Sequence, residues 1–205
     1  MNDDSVKKLT DDYIKIQEDI FKLIAHPKNE TAKDYAKRLT DEVNRGINLA
    51  ISKANQWGAN DLKAESQKAE ERANNALKEE PKALSMKETD RLLKKHSGQS
   101  GRQAITLGTI AEMSAGARQA GREFQRALKS KISQLEKEGR TSVWDLSEEL
   151  KKQFNQENVL AVKYANGMRI TLDKYTMMLG RTALVEVHNY ATVRATINHG
   201  HDLVY

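Results

Sequence analysis

Residues 162–205 read VKYANGMRITLDKYTMMLGRTALVEVHNYATVRATINHGHDLVY, and this stretch decides the fold. Asn166-Gly167 sits between two runs that carry β-branched and aromatic residues. Asn-Gly is the strongest short hairpin signal, because a type I′ turn needs positive φ at both central positions. The spacing predicts a hairpin over 161–172. Asp173 is then expected to cap a helix from Lys174, with Tyr175, Leu179, Thr182, Glu186, Tyr190, Val193 and Ile197 along one side. Gly200 ends that helix, and 201–205 turns into an extended segment. No turn residue or charged tail follows Leu203-Val204-Tyr205, so the stretch reads as the front part of a longer product.

Everything before the hairpin reads as helix. Val6, Leu9, Tyr13, Ile16, Ile20 and Leu23 alternate at spacings of three and four, a narrow buried seam over 5–25 that Pro27 ends. Asn29 or Thr31 caps a second helix whose stripe is Tyr35, Leu39, Val43, Ile47, Ala50, Ala54 and Trp57, with Gly58 and Asn60 as punctuation. Segment 61–80 favours helix but offers mainly Leu62, Ala69, Ala73, Ala76 and Leu77 for burial, so weak packing is expected there. A short helix over 84–95 and a Gly/Ser linker at 96–101 follow. Ile110, Met113, Ala117, Ala120, Phe124, Ala127 and Ile132 then mark a long helix from about 103 to 138, closed by Gly139. Ser142 caps a short helix with Val143, Leu146, Leu150 and Phe154 inward. The fold class is mainly α: a body of long helices with a small C-terminal α+β module of hairpin, helix and strand. The segments are a helical 1–95, a linker 96–101, a long plus a short helix over 102–155, and the truncated module 156–205.

Composition narrows the function classes. Of the 205 residues, 38% are apolar and 31% charged, against about 45–50% and about 25% in ordinary globular domains. Such a chain forms solvated helices with narrow seams, which find more of their core on a partner. Cysteine is absent, which excludes disulfides and thiolate metal sites. No apolar run reaches the ~18 residues of a membrane span, and the N-terminus lacks an apolar signal core. Net charge is +5, a mild bias toward acidic partners.

The candidate chemistry is sparse. Arg118, Arg122 and Arg126 are four apart and Lys129 follows three later, one basic stripe on a helix. Residues 102–131 hold six basic and two acidic side chains, so the stripe sits in a segment of net +4. It fits a phosphate backbone or an acidic protein surface, and equally a solvated helix face. No aromatic platform is interleaved with it, which disfavours single-strand stacking. Glu186, His188, His199, His201 and Asp202 invite a metal, yet no histidine pair has the i, i+4 spacing of a helical zinc site. Arg181 and Glu186 are five apart, too far round the helix to pair, so Arg181 is expected to clamp a group from the hairpin. No nucleophile elbow or phosphate loop is present, and the reading is of a non-enzyme without a cofactor.

The order of Asn166, Gly167, Arg169, Leu172, Tyr175, Met178, Arg181, Thr182, Ala183, Gly200, Asp202, Leu203 and Val204 resembles the phage minor capsid protein family. It is similar, more distantly, to Mu F-like head morphogenesis proteins. The resemblance covers about the last 45 residues, those of the quoted stretch. It implies a virion structural protein made in a bacterial cytoplasm, a minor head component at the portal vertex that assists head assembly, DNA packaging or ejection. The partners it implies are the portal or major capsid protein and packaged double-stranded DNA, in a multi-copy assembly without membrane contact. Asn166, Gly167, Arg181, Thr182 and Glu186 are then structural, and the stripe at 118–129 is the contact surface. The alternatives are a nucleic-acid-binding accessory protein and the N-terminal docking part of a longer enzyme or toxin.

Overall fold

The computed structural model describes residues 3–77, Arg91 and 101–199. The fold is mainly α with one small antiparallel sheet. Its elements are α1 (Asp4–Ala25), α2 (Ala32–Trp57), a π-helical turn (Gly58–Leu62), α3 (Lys63–Leu77), α4 (Arg102–Lys137), α5 (Val143–Gln153), β1 (Ala161–Lys163), β2 (Arg169–Thr171) and α6 (Leu172–Asn198). The helix expected at 84–95 and the strand at 201–205 lie outside the described residues, as does most of the linker. The chain divides into two compact units. One holds Met1–Val6, Asn55–Glu112 and Met178–Tyr205, and the other holds Lys7–Ala54 and Met113–Met177.

The second unit is built on large side chains. Leu9, Tyr13, Ile16 and Ile20 are buried along α1, and Ile24, not Leu23, completes the seam. Tyr35, Leu39, Val43, Ile47, Ala50 and Ala54 bury the facing stripe of α2. Thr31 starts that helix: its hydroxyl accepts from the Asp34 amide at 3.1 Å and donates to the Asp34 carboxylate at 2.7 Å. The last carbonyls of α1 are met by hydroxyls from elsewhere in the unit. Tyr35 donates to the Ile24 carbonyl at 2.9 Å, and Ser147 donates to it at 2.7 Å. The seam of α4 continues through Leu128 and Leu135, while Ala127 and Ile132 are only half-buried. That is the 3.6-residue helix drifting off a strict three-four seam. Gly139, at φ +69°, closes α4, with the Arg140 amide donating to the Leu135 carbonyl at 2.9 Å. Phe124 and Phe154 stack at 5.1 Å beneath α5.

The hairpin pairs Ala161 with Thr171 and Lys163 with Arg169. Its loop has three residues rather than the two of a type I′ turn. The Gly167 amide donates to the Tyr164 carbonyl at 3.0 Å, and the Tyr164 amide to the Met168 carbonyl at 2.8 Å. Gly167 alone then takes the left-handed position, at φ +86°, as a turn with a bulge requires. The Asn166 side chain accepts from the Met168 amide at 3.0 Å. Asp173 is not the cap of α6, which begins one residue earlier, at Leu172. Its carboxylate instead accepts from Gln17 at 3.0 Å, while the Gln17 carbonyl accepts the Leu160 amide at 3.3 Å. Gln17 is buried, and both ends of its amide are used to dock the hairpin root on α1.

In the first unit the backbone does not stop at Trp57. It passes through the π turn directly into α3. Gly58 allows this, since a Cβ there would lie 2.3 Å from Ile110 Cδ1. Leu62 at the end of the π turn and the early α3 positions Glu65, Ser66 and Ala69 are buried, and later ones are half-buried or exposed. The buried side of α6 in this unit is Ala183, Leu184, Val187, Tyr190, Ala191, Ala195 and Ile197. Thr182 is exposed and Glu186 and Val193 are half-buried, which corrects the expected face by about one helical position. Tyr190 and Ile197 are buried as expected, but the run through Thr182 and Glu186 passed by Leu184 and Val187, which are fully buried.

Candidate functional site: the basic ridge of α4

The ridge follows from the burial of α4. Met113, Ala117, Ala120, Phe124 and Leu128 face the core, so the opposite side must be solvated. Arg118, Arg122, Arg126 and Lys129 occupy that side and all four are exposed. Arg126 donates to Glu123 at 2.6 Å, with its side chain still 71% exposed. Among the described residues, Arg118, Arg122 and Lys129 have no acidic partner. The other two cations of the segment are engaged elsewhere: Lys131 with Glu149 at 3.4 Å, and Arg102 with the Ser66 hydroxyl at 3.5 Å.

Two glutamines bound the ridge. Gln119 donates to the Lys163 carbonyl at 2.6 Å, which fixes the hairpin on one flank. Gln125 donates to the Asn44 side chain at 2.9 Å, which fixes α2 on the other. The ridge is seated closely as well. Gly116 lies under the Tyr175 ring, and a Cβ there would sit 2.4 Å from its Cε1. Spacing alone reveals the four cations, but not these flanking contacts, which join residues 44 and 81 apart in sequence.

The remaining expected positions do not join the ridge. Arg181 holds a carboxylate, but that of Asp3, at 2.6 and 2.9 Å, and not a group of the hairpin. That carboxylate is also what raises the guanidinium above its ordinary range. Thr182 donates to the Met178 carbonyl at 3.0 Å, an ordinary helix back-bond. Among the described residues no three histidine, cysteine or acidic side chains converge as a metal site. No described helix is long and apolar enough to cross a membrane. No protein-family model, curated protein or solved structure matches this chain.

Proposed function

We propose that this chain is a virion structural protein, a minor component of a tailed-phage head that docks at the portal or on the inner capsid wall. The observation that carries the reading is the ridge: four exposed cations in one row, three of them without an acidic partner among the described residues. A lone solvated helix face is more often laced with opposite charges at i, i+3 and i, i+4. The resemblance of residues 162–205 to minor capsid proteins supports the choice of assembly. The ridge would then meet a polyanion, either packaged DNA or an acidic portal face. A nucleic-acid-binding accessory protein is the second reading, favoured by the same ridge.

The test is made on particles. DNA-filled heads purified from a host producing the chain should contain it in a few copies per particle, by mass spectrometry and immunogold labelling. Its absence from intact heads ends the head reading and leaves the accessory reading.

A further inference from the structure

We infer that Arg118, Arg122, Arg126 and Lys129 seat the phosphodiester backbone of double-stranded nucleic acid without reading its sequence. The inference deepens the polyanion-facing reading of the ridge and rests on it. Three features choose phosphate over an acidic protein surface. First, at 1.5 Å rise per residue the cations step by about 6 Å and span about 16 Å. Phosphates on one strand rise by about 3.4 Å of helix axis but also wind round it, so along the strand they lie about twice as far apart, and a ridge laid along the strand can meet successive ones. Second, no large apolar side chain is exposed between 118 and 131 among the described residues. Protein interfaces deplete charge at their centre and anchor on aromatic or aliphatic groups, which this segment of α4 does not expose. Third, α2 and the hairpin flank the ridge through Asn44 and Lys163. A single helix already fills most of a major groove about 12 Å wide, so a helix walled on both sides rides on the phosphates.

The experiment titrates the full chain against two unrelated 30-base-pair DNA duplexes, with fluorescence anisotropy from 50 to 200 mM NaCl. Three unpaired cations imply a log–log salt slope of roughly −2.7, a loss of about 40-fold over that range, equal for both duplexes. Each of Arg118→Gln, Arg122→Gln and Lys129→Gln should flatten the slope by about 0.9. Arg126→Gln should change it least, because Glu123 already neutralises that side chain. Circular dichroism checks that the variants stay folded, as exposed positions should. Three results would overturn the inference: no duplex binding at 50 mM salt, an unchanged slope in the triple variant, or equally tight binding of polyglutamate. A tenfold preference between the duplexes would overturn its sequence-independent part. Scoring the wild-type chain for both duplex binding and entry into heads separates the two readings. A wild-type chain that enters heads but binds no duplex ends the phosphate inference alone. Duplex binding by a chain missing from heads ends the head reading alone.

Discussion

The two units are made of different material. Among the described residues, thirteen Tyr, Phe, Met, Ile and Leu side chains are almost fully buried, and eleven of them lie in the unit that holds α2, α5 and the hairpin; Leu62 and Leu184 are the exceptions. The other unit buries Trp57, Leu184, Val187 and Tyr190, but beside them Ala69, Ala183, Ala191 and Ala195 and the polar Glu65, Ser66 and Thr109. Small residues bring backbones close but remove little apolar area from water, at about 0.8 kcal/mol per buried CH₂. A buried carboxylate such as Glu65, paired with Lys68 at 3.0 Å, adds little net stability. The difference predicts the larger share of stability in the unit with more large buried side chains. The ridge stands on that unit, where its cations keep a fixed spacing.

The sharpest way to break this contrast is Phe124→Ala. It should cost about 3–5 kcal/mol, because it removes both the buried ring and its stack on Phe154. A urea melt showing less than 1 kcal/mol would sink the claim that this unit carries the stability. Alkali should reach the same core. Burial pushes the Tyr35 phenol up to about 12, and it pushes the Tyr13 phenol, which donates to the Ala50 carbonyl, above its ordinary range too. The folded state favours the neutral phenols. Their contribution is therefore whole below about pH 10, the unfolded value, and is lost as pH rises toward 12. Urea midpoints that stay flat from pH 9 to 12 would contradict it.

Two glycines of α4 should then move in opposite directions. Gly116→Ala drives a methyl into the Tyr175 ring and should cost about 1–3 kcal/mol. Gly108 has open space around it, so Gly108→Ala should gain about 0.5–1 kcal/mol from helix propensity. Thermal melts of the pair read the signs directly. A comparably small effect is expected at Ser142, whose hydroxyl accepts the Asp145 amide at 3.1 Å. Ser142→Ala should lose about 1 kcal/mol. Hydrogen exchange compares the units without mutation. Amides of 183–195 should open at lower free energy than those of 143–150. The reverse order would remove the contrast altogether.

Much of the local structure was legible beforehand. Three-four spacing located α1, α2, α4 and α5, and Thr31, Ser142 and Gly139 marked their ends, because periodicity and caps act within a few residues. The four cations of the ridge came from the same spacing. What spacing could not reach was the identity of neighbours. Gly58 reads as a break until Ile110 is beside it, and then the glycine is what lets the helix continue. Arg181 reads as a clamp, but only the fold supplies Asp3 as its partner. The contact side of α6 mixes Leu184 and Val187 with Ala183, Ala191 and Ala195, so more than one three-four run fits the sequence and packing picks the phase. Charge and helical phase are properties of a short segment, so the chain encodes them openly. Which surfaces close on one another depends on backbone separation, and that is settled only when distant segments pack.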